Sequence, residues 1–210
     1  MPETVVVMFS GGLDSTVALW WSLCQGWKPI PLSIEYPGRP RGERAAARQI
    51  ATAARSEILE VPLPFYRDLQ GWRQNGPLPN DLTEANPVYL PAKNLLFYSV
   101  AAYYAEVLGA TRIVGGHYRH DGTRFPDASA AYLARLGDLI TEGLYTHRPR
   151  LVFPFLDMTK AAIVRLGLDL GAPLDRTWSC YWDGPTPCGR CEGCREKEAA
   201  LQAVLSRGKE

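Results

Sequence analysis

Eight residues at the end of the apolar stretch TVVVMF (4–9), Phe9-Ser10-Gly11-Gly12-Leu13-Asp14-Ser15-Thr16, combine the groups that hold phosphate. Gly11 and Gly12 lack a Cβ, so the backbone can approach an anion closely and adopt angles closed to other residues. A helix beginning here would aim its unpaired N–H groups and the positive end of its dipole at one point. Ser10, Ser15 and Thr16 add hydroxyl donors. Asp14 offers a carboxylate to a magnesium ion that offsets the charge of a triphosphate. The same residues also make an ordinary turn, with Asp14 or Ser15 capping the helix. No lysine follows the glycines as in a Walker A loop, and G-x-G-x-x-G is absent, so neither common nucleotide fingerprint applies.

A second cluster lies towards the C-terminus. Cys180, Cys188, Cys191 and Cys194 are spaced C-x7-C-x2-C-x2-C. Two-residue spacings let thiolates converge on one tetrahedral ion, and Gly189 and Gly193 suit the tight turns between them. Four thiolates leave no open position, which reads as a structural zinc pinning the tail to the rest of the chain. An iron–sulfur cluster uses the same C-x2-C-x2-C run and is the rival. A disulfide requires an oxidising compartment, and no secretory leader precedes the first strand, so the expected location is the cytoplasm. Cys24 sits among tryptophans and leucines and reads as core rather than as a reactive thiol.

Both clusters need a frame. Apolar, β-branched runs predict strands over 4–9, 28–36, 57–63, 111–116 and 150–155, with prolines marking a loop or edge in the second. Helical patterns fall between them at 14–25, 41–55, 92–108, 128–145 and 159–170. Residues 64–91 carry five prolines and no clear period, and read as an irregular segment. The alternation predicts an α/β fold, a doubly wound and mostly parallel sheet with helices on both faces. Ligands of such sheets gather at the carboxyl ends of strands, where Gly11, Tyr36 and Gly116 stand. Residues 1–175 read as a nucleotide-binding domain and 176–210 as a zinc-binding C-terminal segment. At 210 residues, 46% apolar and 21% charged, the chain has the composition of a soluble globular protein. A formal charge of +1 argues against a nucleic-acid face, and no apolar run is long enough to span a membrane.

The loop is similar to the S-G-G-x-D-S loop of the ATP-pyrophosphatase (PP-loop) superfamily, whose members cleave ATP to AMP and pyrophosphate. Loop and cysteine tail together make the chain resemble the 7-cyano-7-deazaguanine synthase (QueC) family of that superfamily, or a divergent paralogue of it. The segment YLPAKNLLFYSVAAYYAEVLGA (89–110) matches the family's P-x-R-N segment and helix. FPDAS (125–129) stands where the family has Y-P-D-C-R, and TWSCYWDGPTPCGRCEGC (177–194) matches its tail. The chain departs from the family at Leu13, where glutamine is usual, and after Tyr36, where a histidine is missing. Lys93 replaces an arginine, and Ala128 and Ser129 replace cysteine and arginine.

The resemblance implies an adenine nucleotide alpha hydrolase-like fold, ATP as co-substrate held by residues 9–16 with Mg2+, and zinc on the four cysteines. It implies ATP-dependent conversion of 7-carboxy-7-deazaguanine and ammonia to an amide and then to the nitrile, in queuosine biosynthesis. Asp14, Lys93 and Asp127 would be catalytic. Lys93, Asn94, Phe125 and Asp127 would bind the deazapurine, with Phe125 stacking on its ring and Asp127 accepting from its N–H edge. The bland readings are a solvated first turn for Lys93 and Asn94, and an N-cap for the helix at 128–145 for Asp127. The departures leave open a paralogue that joins the same acid to an amine on a protein or other acceptor, as in antiviral gene clusters. A tRNA thiolase would need a free reactive cysteine and a basic face. A zinc-ribbon nucleic-acid binder leaves the phosphate loop unexplained. His117 and His120 follow a strand near the expected site and read as surface or structural histidines. Arg39, Arg41 and Arg44 read as a solvated face or as contacts to the nucleotide. The sequence leaves a homo-oligomer open.

Overall fold

Val5, Val6 and Val7 are wholly inaccessible to solvent, which for consecutive strand residues requires cover on both faces of the sheet. A computed structural model of the chain describes residues 2–67 and 89–206 and shows how that cover arises. β1 (Thr4–Met8) is the centre of a five-stranded parallel sheet of order β3-β2-β1-β4-β5, with β2 Lys28–Glu35, β3 Leu59–Pro62, β4 Arg112–Val114 and β5 Arg150–Val152. Val5 and Val7 pack on one side with α1 (Leu13–Cys24), α2 (Arg41–Ala53), α6 (Lys160–Asp169) and α7 (Glu192–Leu205). Val6 packs on the other with α3 (Lys93–Leu108) and α5 (Ala130–Gly143). The doubly wound parallel fold expected from the sequence is therefore present. No helix among the described residues is long and apolar enough to cross a membrane.

The prolines of β2 have a clear place. Pro29 and Pro31 pair with β1, but β3 joins β2 only from Leu32 onwards. Where the prolines lie, β2 is locally an edge, so a missing N–H leaves no gap in a second ladder. The strand predicted over 111–116 runs from Arg112 to Val114, and Gly115 N still donates to Val152 O at 2.9 Å before the chain turns off. A Cβ on Gly115 would stand 1.9 Å from the Tyr98 hydroxyl, and one on Gly116 2.9 Å from the Asp14 carbonyl carbon. The helix predicted over 128–145 runs from Ala130 to Gly143. Its cap is Ser129, whose hydroxyl accepts from Tyr132 N, and a one-turn helix α4 (Asp121–Arg124) and a 3-10 turn (Pro126–Ala128) precede it. Helix α7 begins within the cysteine cluster, with Cys191 as its cap and Cys194 in its first turn, and had no separate sequence signal. Its Ala200 and Val204 are buried in the same core as β1 and α1. Of the irregular segment 64–91, residues 68–88 lie outside the described residues.

The chain winds outward from β1 to β3 and then returns to β4 on the other side of β1. The carboxyl ends of β1 and β4 therefore face a switch point, where a crevice opens. One residue clasps the loop on this crevice. Arg39 is 5% exposed and donates to Ser33 Oγ (2.8 Å), Ile34 O (3.0 Å), Ser10 O (2.6 Å), Glu43 Oε2 (3.2 Å) and Glu35. It thus ties β2 and α2 to the residue that leaves β1. Arg39→Met keeps most of the packing volume but leaves Glu35 and Glu43 without this partner, and should cost about 3 kcal/mol of stability in urea denaturation.

Candidate active site and metal centre

A cleft of about 400 Å³ opens at the carboxyl ends of the strands. Its floor is the loop after β1. Gly11 has φ +88°, and a Cβ there would lie 2.5 Å from Ala47 N and 2.8 Å from Glu43 O. Glycine is needed at 11 because the backbone of α2 passes behind it. The Ser10 and Ser15 hydroxyls are 3.2 Å apart, Ser10 Oγ accepts from Gly12 N (3.1 Å), and Ser15 Oγ accepts from Ser10 N (3.3 Å). Phe9, Ser10, Gly12, Leu13, Asp14 and Ser15 line the cleft; Gly11 and Thr16 do not. Thr16 is fully buried and spends its hydroxyl on Gly12 O at 2.8 Å.

Asp14 begins a chain of charges that the sequence did not disclose. Its Oδ2 accepts from Lys160 Nζ at 2.6 Å, and Lys160 Nζ lies 3.5 Å from Glu196 Oε2 and 4.3 Å from the centre of the Tyr118 ring. The Tyr118 hydroxyl in turn donates to Glu196. Burial pushes the Asp14 carboxyl up, and Lys160 offsets part of that rise. Burial pulls the Lys160 ammonium down, but Asp14 and Glu196 outweigh it and the net shift is upward. Lys160 belongs to no motif. Its signal in the sequence was the Thr159 cap, whose hydroxyl accepts from Ala162 N and places Lys160 at the start of α6. Asp14 Oδ1 is buried and has no hydrogen-bond partner among the described residues. A bare carboxylate oxygen beside a glycine-rich helix start fits Mg2+, which takes one or two protein carboxylates and draws its other ligands from phosphates and water.

The opposite wall carries the residues expected to meet a substrate. Lys93, Asn94 and Phe125 line the cleft, with the Lys93 ammonium 5.9 Å from the Phe97 ring centre. Phe125 stacks on Tyr89, the rings 6.4 Å apart and 8° from parallel. Asp127 does not line the cleft. Its Oδ2 accepts from Asn94 N (2.9 Å), and its carbonyl accepts from Asn94 Nδ2 (2.9 Å). The open N–H groups at the start of α3 draw in the carboxylate, so Asp127 caps α3, whereas the bland expectation was a cap on the following helix. Of the arginines, Arg39 is the clasp described above, Arg41 pairs with Asp183 and Arg44 with Glu35. His117 lines the cleft; His120 is exposed and outside it.

The four cysteines converge as their spacing predicts. One sulfur from each of Cys180, Cys188, Cys191 and Cys194 lies within 4.8 Å of all the others. A tetrahedral site with Zn–S bonds of about 2.3 Å needs sulfurs about 3.8 Å apart, so the set fits a single ion. A four-iron cluster puts each thiolate on a different iron and needs a wider set. The Arg190 and Cys191 N–H groups draw the Cys188 thiol down to about 6, whereas burial pushes the Cys180 thiol up and the Cys194 thiol up to about 12. Gly189, at φ +69°, makes the expected turn. Gly193 does something else, because a Cβ there would stand 2.1 Å from Ser179 O. It lets α7 press against the strand of tail that carries Cys180. That tail reaches the phosphate loop, where Trp178 N donates to Gly11 O at 3.0 Å.

Comparison with known proteins places this geometry. Residues 4–205 match the family model described as "QueC: Queuosine biosynthesis protein QueC". The chain is 36% identical to the 7-cyano-7-deazaguanine synthase of Thermosynechococcus vestitus, over 95% of this chain and 91% of the relative. It is 34% identical to the protein of the same name from Cyanothece sp., over 94% of each. A solved 4-thiouridine synthetase–RNA complex with bound ATP superposes with a TM-score of 0.59 at 19% identity, covering 97% of this chain and 51% of that one. The last likeness is one of fold.

Elemental analysis of the purified protein should find about one zinc per chain. Cys194→Ser should lower the metal content and the Tm together, because the binding free energy of such an ion is largely folding free energy. Iron with visible absorbance would reject zinc.

Proposed function

The chain belongs to the QueC family, and from that membership we propose that it converts 7-carboxy-7-deazaguanine, ATP and ammonia to 7-cyano-7-deazaguanine, releasing AMP and pyrophosphate. The observation that carries the ATP half is the bare Asp14 carboxylate oxygen next to Lys160, on a glycine-rich helix start with no Walker lysine. A carboxylate is a poor acylating agent because its leaving group is oxide. Attack of the substrate carboxylate on the α-phosphorus of ATP expels pyrophosphate and forms an acyl-adenylate, whose AMP is a good leaving group. Ammonia then displaces AMP to give the amide. A second adenylation, at the amide oxygen, and loss of AMP give the nitrile.

None of these steps needs an enzymic nucleophile. They need neutralised charge and alignment. The N–H groups of Leu13, Asp14 and Ser15 that open α1 hold phosphate, and Lys160 meets charge that develops on it. Mg2+, when bound at Asp14 Oδ1, supplies further charge neutralisation. Lys93 orients the substrate carboxylate from the first turn of α3. Phe125, backed by Tyr89 and flanked by Arg124 at 5.5 Å, offers a face for the flat bicycle. Asp127 acts by fixing the start of the helix that presents Lys93 and Asn94.

A second reading keeps the adenylation and changes the amine, joining the acid to a protein or other acceptor and stopping at the amide. Ala128 and Ser129 favour it, since they stand where the family has cysteine and arginine. One assay separates the two: incubation with ATP, the deazaguanine acid and ammonium, followed by mass spectrometry of the products. The nitrile is expected with AMP and pyrophosphate. Asp14→Asn should lower turnover about 100-fold. ADP as the main nucleotide product would overturn the proposal, and an amide without nitrile would favour the conjugating reading.

A further inference from the structure

The reaction proposed above has an unmet requirement. Near neutral pH ammonia exists almost wholly as ammonium, which has no lone pair, and the nitrogen must shed a proton to become a nucleophile. The cleft therefore needs a proton acceptor. The carboxylates that line it are held by cations or backbone, apart from Asp14 Oδ1, which is assigned above to Mg2+. Asp14 and Glu196 flank Lys160, and Glu43 is held by Arg39. Asp121 accepts from Tyr118 N at 3.1 Å. Lys160 keeps its proton, as shown above, and burial pushes the phenols of Tyr98, Tyr118 and Tyr181 up, so they keep theirs.

His117 is different. It follows Gly115 and Gly116, and Gly116 packs so closely on the Asp14 backbone that a Cβ would stand 2.9 Å from the Asp14 carbonyl carbon. The imidazole thus leaves the sheet beside the phosphate loop. Its side chain is 16% exposed, lines the cleft, and has Nδ1 3.5 Å from Asp121 Oδ2. The rings of Tyr98 and Phe153, in contact with each other, pack against it at centroid distances of 5.9 and 5.6 Å. Asp121 from α4 is the charged group facing it, Tyr98 is the titratable group from α3, and Lys160 from α6 acts on it through Asp121. A base that lines the same cleft as the glycine-rich loop, with a carboxylate 3.5 Å from one ring nitrogen, has the arrangement that general-base chemistry requires.

We infer that His117, oriented by Asp121, is the general base that activates the amine; the inference rests on the function proposed above. With Nδ1–H directed at Asp121, Nε2 carries the free lone pair. It takes one proton from ammonium, and the released pair on nitrogen forms the C–N bond at the acyl carbon. The C–O bond to AMP breaks, AMP leaves with that pair, and the second proton lost by nitrogen passes to solvent. The sum is acyl-adenylate plus ammonium giving amide, AMP and two protons.

The test separates adenylation from amination. Acid-dependent exchange of labelled pyrophosphate into ATP reports the first half-reaction, and amide formation reports both. His117→Gln should retain exchange within about threefold of wild type and lose amide formation by about 100-fold. Its amide rate should rise with pH in step with free ammonia, where the wild-type rate is flatter. Hydroxylamine, uncharged near neutral pH, should restore product formation as the hydroxamate. His117→Asn guards against a local packing defect, and both variants should melt with wild-type zinc content. Loss of exchange together with amide, or wild-type amide formation in both variants, would overturn the role of His117. Absence of acid-dependent exchange in the wild-type protein would instead overturn the functional reading, and this inference with it.

Discussion

Three consecutive carbonyls just after β1 are each taken up by a hydrogen bond, and the site depends on that. Ser10 O accepts from Arg39, Gly11 O from Trp178 N, and Gly12 O from Thr16 N and from the Ser15 and Thr16 hydroxyls. A loop that is to hold phosphate must show its N–H groups and hide its oxygens, since a carbonyl facing the anion would repel it. Each oxygen is drawn back by a different part of the molecule: the β2–α2 connection, the C-terminal tail and α1. The phosphate loop is short in sequence, yet its conformation is set by contacts from residues 33–44 and from residue 178. Gly11 completes the arrangement by letting α2 close in from behind.

The charges follow the same plan. Asp14, Lys160 and Glu196 come from three helices and meet at the mouth of the loop, with Tyr118 bridging back to Glu196. Taking two carboxylates and an ammonium partly out of water costs energy unless each is paired, and here each is. The arrangement still leaves Asp14 Oδ1 unpartnered among the described residues. An orphaned oxygen in an otherwise satisfied network is better explained by a ligand than by poor packing. Arg124, which donates to Tyr181 and to Glu192, extends the network to the other side of the cysteine tail.

What the sequence disclosed and what it withheld divide along physical lines. The glycine-rich loop and the cysteine cluster depend on local spacing, so FSGGLDST and C-x7-C-x2-C-x2-C stood out directly. The parallel sheet followed from apolar runs alternating with helical ones, while several strand ends differ from the predicted bounds by up to three residues. Long-range pairings were not legible. Lys160 lies 146 residues from Asp14, and Asp127 caps a helix 33 residues upstream of itself. No periodicity encodes such meetings. Arg39 resembled an ordinary charge run because its burial depends on Glu35, Glu43 and Ser10 O arriving together. Gly193 looked like a turn residue, yet its role is close approach, which is visible only once Ser179 lies against α7.

The tail is therefore more than a staple. The cysteines fix where α7 begins, since Cys191 is its cap and accepts from Cys194 N. That start sets the position of Glu196 on the first turns of α7, and Glu196 faces Lys160. The same cluster anchors Cys180, two residues from Trp178, whose N–H holds Gly11 O and whose indole donates to Cys180 O. Two separate connections thus run from the thiolates to the phosphate loop, one through backbone and one through charge. A metal that organises the cysteines also organises the loop, and the spacing of the tail is constrained at both ends.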